Sequence, residues 1–207
     1  MKKLKIDDEE EEIKVILVGE TGTGKTSLIN TSVGIEFKEK TYSTQTNSIS
    51  KKKMTIKNKK YCINLWDTIG QEQFRSLTKI FIKDSKIVIF VYDITRKETF
   101  KQIVEFWYEN TKNELGDAPV MGVVGNKEDL YFESEVSDEE VEKFTKEKNL
   151  LFRLTSAKNK KNFNSFLEEL VKIYIKKRKN SKNEENEEGS LKLDDINKKS
   201  SKKRRFC

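Results

Sequence analysis

The chain reads as an α/β domain built on a mostly parallel sheet. Three observations predict this. Two continuous apolar runs, Ile87–Tyr92 and Val120–Gly125, are strand-sized and lack polar alternation, as strands covered on both faces do. Helix-like stretches fall between the strand candidates, at Lys97–Leu115, Asp138–Lys148 and Phe163–Lys177. A β-branched run, Ile13–Val18, ends at Gly19 and leads through more glycines into another helical stretch.

The elements follow in order. Residues 1–12 form a charged, flexible lead-in with an acidic run from Asp7 to Glu12. After the strand Ile13–Val18, Lys25–Val33 reads as a helix. Ser48–Ile56 and Tyr61–Trp66 read as two strands joined by a tight polar turn at Asn58-Lys59-Lys60, with Ile63 and Leu65 on a shared face. In Lys97–Leu115, Phe100, Ile103, Val104 and Trp107 make one apolar stripe. Pro119, the only proline, stands just before the strand at Val120, where its missing N–H costs least. Leu150–Leu154 is the last strand candidate. The sum is a six-stranded, mostly parallel sheet with helices on both faces, and ligands are expected at the strand carboxyl ends.

Composition divides the chain further. Of 207 residues, 37% are charged and 34% apolar, a poor ratio for burying a core, but the imbalance is local. Residues 179–207 hold almost no aromatic or β-branched side chains and are expected to be disordered, leaving 13–178 as the folded domain. From Lys176 to Cys207, twelve Lys and Arg face six Asp and Glu, which accounts for six of the seven net positive charges. A near-neutral body argues against a nucleic-acid-binding domain. Two cysteines, Cys62 and Cys207, make no disulfide framework, as in a reducing compartment. No apolar run is long enough to span a bilayer, and Lys2 rules out N-myristoylation.

Five motifs carry the chemistry. Gly19-Glu20-Thr21-Gly22-Thr23-Gly24-Lys25-Thr26 has the strand–loop–helix context of a phosphate loop. Backbone N–H groups of Thr21, Gly22, Thr23 and Gly24 can form an anion-binding nest, backed by the start of a helix that carries Ser27. Lys25 can reach β- and γ-phosphates, and the Thr26 hydroxyl can ligate Mg²⁺. Asp67, closing a strand, is a candidate carboxylate behind the metal, acting through water. Gly70 can bring a backbone N–H to a γ-phosphate, and the Gln71 amide can hold an attacking water in line with it.

Asn126-Lys127-Glu128-Asp129 points to guanine. The Asp129 carboxylate can accept from guanine N1–H and the 2-amino group, donors that adenine lacks. The Lys127 stem can lie over the purine, and Asn126 can tie this loop to the phosphate loop. In Thr155-Ser156-Ala157-Lys158, the Ala157 N–H can meet guanine O6. Phe37 can pack on the base or in the core.

These residues resemble the Ras superfamily of small GTPases, and within it the Rab family, over about 13–177. Trp66-Asp67-Thr68, Gln73-Phe74-Arg75-Ser76-Leu77, Val91-Tyr92-Asp93-Ile94-Thr95 with Phe100, and Thr21 are Rab-like. The resemblance implies a GTP-hydrolysing switch of the phosphate-loop NTPase fold, monomeric, regulating vesicle traffic on the cytosolic face of an intracellular membrane. It also implies an exchange factor, a GTPase-activating protein, a GDP-dissociation inhibitor and effectors. Thr44, nineteen residues after Lys25, would bind Mg²⁺ and γ-phosphate in the GTP state. Two stretches depart from the Rab pattern. Thr44 is followed by Gln45-Thr46-Asn47-Ser48-Ile49-Ser50, on the surface that contacts effectors, and Ile69 replaces an alanine beside Gln71.

Arg204, not a cysteine, is fourth from the end, which excludes C-a-a-X prenylation. By the Rab resemblance, Cys207 would carry one geranylgeranyl group, and Lys202-Lys203-Arg204-Arg205 would supply the second membrane signal. A solubilising tail is the alternative. Two other functions compete with the switch: a GTP-binding scaffold regulated by exchange alone, and a phosphate-loop kinase or ATPase, which would have no use for Asp129 or Ala157.

Overall fold

A computed structural model describes residues 10–39, 48–68 and 80–181. The described residues form one six-stranded sheet: β1 (Glu11–Val18), β2 (Ser48–Ile56), β3 (Lys59–Asp67), β4 (Ile87–Asp93), β5 (Val120–Asn126) and β6 (Leu151–Thr155). Their order across the sheet is β2-β3-β1-β4-β5-β6, with β2 antiparallel to β3 and every other pair parallel. The connections are α1 (Lys25–Ser32), α2 (Lys97–Leu115), a 3₁₀ turn at Glu128–Glu133, α3 (Asp138–Glu147) and α4 (163–181).

The two-residue period of the strands divides their side chains between two cores. Val15 and Leu17 of β1, with Ile87, Ile89 and Val91 of β4, meet Leu28 and Ile29 of α1 and Phe166, Leu167 and Leu170 of α4. The alternate residues Ile16, Val18, Val88, Phe90 and Tyr92 meet Phe100, Ile103 and Trp107 of α2 and Val141 and Phe144 of α3. Helices therefore cover both faces, as the continuous apolar strands require.

Four details differ from the sequence reading. Strand β1 begins at Glu11, inside the acidic run: Glu11 and Glu12 pair in register with Tyr61 and Cys62, and Lys59 and Lys51 neutralise them at 2.9 and 3.1 Å. The β2–β3 turn is Lys57-Asn58, not Asn58-Lys59-Lys60. Both turn residues have positive φ (49° and 63°), the two-residue geometry that matches strand twist. Helix α2 carries a π-helical segment, Ile103–Trp107, in its middle. Helix α4 continues to residue 181, three residues into the segment expected to be disordered.

Every strand that borders the site ends at the same edge of the sheet. Gly19 follows β1, Asp67 closes β3, Asp93 closes β4, Asn126 closes β5 and Thr155 closes β6. This carboxyl edge, around the central β1, is where open α/β sheets bind ligands.

Candidate nucleotide-binding site

The loop Gly19–Gly24 leaves β1 with backbone that glycine alone adopts easily. Gly24 has φ 91°, and a Cβ there would lie 2.2 Å from Asn126 Nδ2. That close approach is functional in form: Asn126 Nδ2 donates to the Thr23 carbonyl at 2.9 Å, joining the loop after β5 to the loop after β1. Asn126 Oδ1 in turn accepts from the Ala157 N–H at 3.2 Å and the Thr155 hydroxyl at 3.4 Å. One amide thus binds three strand ends together.

Lys25 is buried, and its ammonium donates to the Gly19 and Glu20 carbonyls at 2.7 and 2.9 Å. Burial pulls its pKa down to about 8, with the charges of Asp67 and Glu20 opposing part of that shift. Asp67 is also buried. Desolvation pushes its carboxyl upward, against the Thr26 hydrogen bond and the Lys25 charge.

The donor set suits a hard cation. Asp67 Oδ1 is buried with no hydrogen-bond partner among the described residues, and Thr26 brings a hydroxyl to the same carboxyl. These are oxygen donors, few in number, which is how Mg²⁺ is held when phosphates and waters complete its shell. Among the described residues no three His, Cys, Asp or Glu side chains converge to form a cage for the ion.

At the other end, Asp129 Oδ1 accepts a short hydrogen bond from the Ser156 hydroxyl, which itself accepts the Asn159 N–H. Lys127 sits in left-handed backbone (φ 72°, ψ 36°) at the start of the 3₁₀ turn. Between the two ends lies a cleft of about 390 Å³, within the range of small-molecule sites.

Of the residues expected from sequence, Thr21, Gly22, Gly24, Lys25, Thr26, Ser27, Phe37, Asn126, Lys127, Asp129, Ala157 and Lys158 line this cleft. Thr23 and Ser156 are buried behind it, one lending its carbonyl and the other its hydroxyl. Phe37 lines the cleft and also packs against the core of α1 and α4. Thr44, Ile69, Gly70, Gln71 and Cys207 lie outside the described residues.

The sequence reading gave no role in the site to four supporting residues, Asp93, Arg96, Glu20 and Trp107. Asp93 has a fully buried carboxylate that accepts from Lys127 Nζ at 2.5 Å, Arg96 Nε at 3.0 Å, and the Thr95 N–H and hydroxyl at 3.0 and 2.8 Å. Burial pushes its pKa up, but the hydrogen bonds from Lys127 and Thr95 outweigh that and hold it below the usual value. Arg96 Nη2 donates to the Thr21 carbonyl at 2.8 Å. Trp107 Nε1 donates to Glu20 Oε1 at 3.0 Å, connecting α2 to the phosphate loop from beneath. The signal for Asp93 was its place at a strand end. Arg96 and the Glu20–Trp107 pair leave no sequence signature, because their partners are distant in the chain.

Comparison with known proteins agrees with the geometry. The model of the Ras family matches residues 14–176. "Ras-related protein Rab-11C" of Dictyostelium discoideum is 35% identical over 158 residues, covering 76% of this chain and 70% of that protein. The chain belongs to the Ras family and is a Rab-like small GTPase that binds guanine nucleotide and hydrolyses GTP.

Proposed function

We propose that this GTPase is a switch in intracellular membrane traffic, cycling between GDP and GTP under the control of an exchange factor, an activating protein and a GDP-dissociation inhibitor. The observation that carries the nucleotide reading is the two-ended cleft. A buried ammonium, Lys25, stands at the phosphate end, and a carboxylate, Asp129, stands at the base end. A ligand spanning it needs an anionic tail and a base edge rich in donors, which describes a guanine nucleotide. The 35% identity to a Ras-related Rab protein supports the traffic role.

In this reading the amides of residues 21–26 cradle the phosphates, with Lys25 supplying charge. Thr26 and Thr44, with Asp67 acting through water, would hold Mg²⁺, which would neutralise charge developing on the phosphates. Lys127 covers the purine while Asp129 selects it. The Ala157 N–H is engaged by Asn126 Oδ1, so guanine O6 shares that donor or replaces its partner. Gln71 orients the attacking water, and Thr44 and Gly70 contact the γ-phosphate and lose that contact on hydrolysis. Cys207, geranylgeranylated, and the basic residues before it attach the protein to the cytosolic face of a membrane.

Gln71→Leu, loaded with GTP, is expected to lose at least about tenfold in single-turnover hydrolysis while still binding GTP. An unchanged rate removes Gln71 from that role. The traffic reading is tested by fractionating cells that express the wild type and Cys207→Ser. The wild type is expected in an intracellular membrane fraction and the variant in the supernatant, and equal distribution of the two refutes the anchor.

A further inference from the structure

We propose that Asp93 and Arg96 form a brace between the two ends of the nucleotide cleft and set how long nucleotide stays bound. This rests on the guanine-nucleotide reading of the same cleft. Neither residue lines the cleft, so both act as positioning residues, through groups that do.

The chain of contacts is continuous. Lys127, on the base side, gives its ammonium to Asp93 Oδ2. The same oxygen receives Arg96 Nε at 3.0 Å. The far end of that guanidinium donates to the Thr21 carbonyl at 2.8 Å, on the phosphate side. The guanidinium also lies against Gly22, where a Cβ would come within 3.3 Å of Nη2.

Charge and burial make this more than proximity. Asp93 is 0% exposed, and a buried carboxylate is tolerated when its oxygens are fully engaged. Its other oxygen is occupied by the Thr95 N–H and hydroxyl, so the demands of Oδ2 fall on Lys127 and Arg96 together. A planar guanidinium serves a carboxylate and a carbonyl at once from a rigid fork, whereas an ammonium's three donors rotate about a flexible stem. Lys127 is thereby fixed at its tip, while its backbone, in left-handed conformation, is fixed at its base. Thr21, a residue of the amide cradle, is held through its carbonyl. When one end of the brace is cut, the other loses its anchor, and the Asn126–Thr23 hydrogen bond is left to join the base loop to the phosphate loop.

The experiment is release of fluorescently labelled GDP from full-length protein in magnesium, chased with unlabelled GDP. Asp93→Asn, which keeps the shape and removes the charge, and Arg96→Met are each expected to speed release by about tenfold or more. The double variant is expected to exceed Asp93→Asn by no more than about threefold, because the second cut acts on a brace already broken. Ile103→Val, which thins the core beneath α2 without touching the brace, provides the stability control. It is expected to lower Tm and leave release near the wild-type rate. Release within about twofold of wild type in both single variants overturns the proposal. So does an equal acceleration by Ile103→Val, and so does simple multiplication of the two single effects. Should Asp93→Asn fail to fold, Arg96→Met decides, because Arg96 is 45% exposed and its loss leaves the core intact. A wild-type protein that takes up no labelled GDP sinks the nucleotide reading and the brace with it, whereas normal uptake with unchanged variants sinks the brace alone.

Discussion

Lys25 keeps its charge at a cost, because the loop around it offers carbonyl oxygens and little water. With a pKa near 8 in the protein, against 10.5 for a free lysine, it titrates within reach of ordinary buffers. The sign follows from linkage. Between about pH 8 and 10.5 the unfolded chain binds more protons at this site than the folded one, so this group makes the nucleotide-free fold more stable as pH rises through that window. Nucleotide binding runs the other way. Phosphate favours the charged form, so GDP binding takes up a proton and affinity falls as pH rises past about 8. Calorimetry at about pH 8.5 in buffers of different ionisation enthalpy is expected to show buffer-dependent heats, and identical heats would mean that Lys25 stays charged throughout. At the opposite end, Asp129→Ala is expected to cost about 1–3 kcal/mol of guanine-over-adenine discrimination, read by competition of GDP against ADP. At this scale the sequence was most legible. Lys25, Asn126 and Asp129 sit in short motifs whose residue types and spacing are dictated by phosphate and purine. Asp93 and Arg96 were harder to see, because their roles arise from a meeting of three loops that local spacing does not encode.

Helix α2 shows what a sequence pattern conveys about an element and what it omits. The stripe Phe100, Ile103, Val104 and Trp107 places the helix on the sheet, and three of the four are buried. The π-helical turn at Ile103–Trp107 was not legible, since apolar periodicity barely registers one extra residue in a turn. Trp107 closes that turn, packing in the core of α2 and α3 while its indole N–H meets the carboxylate of Glu20. Trp107→Phe keeps most of the packing and removes that donor. It is expected to cost about 1–3 kcal/mol in urea-induced unfolding, because Glu20 is mostly buried and loses a partner. A loss below about 0.5 kcal/mol would mean that solvent or a neighbour replaces the indole. The β2–β3 turn offers a simpler case. Asn58 was a clear turn signal, but the two-residue form falls one position earlier than the polar cluster suggested, because strand twist selects two consecutive residues with positive φ.

For the molecule as a whole, strand–helix alternation was enough to give the architecture. The direction of the sheet, the burial of both faces and the clustering of motifs at one edge all follow from continuous apolar strands joined by helices. The acidic start of β1 was misjudged as a flexible arm because charge runs are usually solvated. Here each described glutamate of the run finds a cation on another element: Glu10 with Lys53, Glu11 with Lys59 and Arg178, and Glu12 with Lys51. Among the described residues, strand β2 is at the border of the sheet, with one side of its backbone left without a strand neighbour. Such a border invites a stranger's chain to stack on, and nature discourages this with ammonium groups, since docking would strip their hydration and crowd like charge. Lys51 and Lys53 are placed to act as those sentinels. Replacing both with valine is expected to make the protein self-associate more than wild type with rising concentration by light scattering, and a scattering profile matching wild type would show that the border needs no guard.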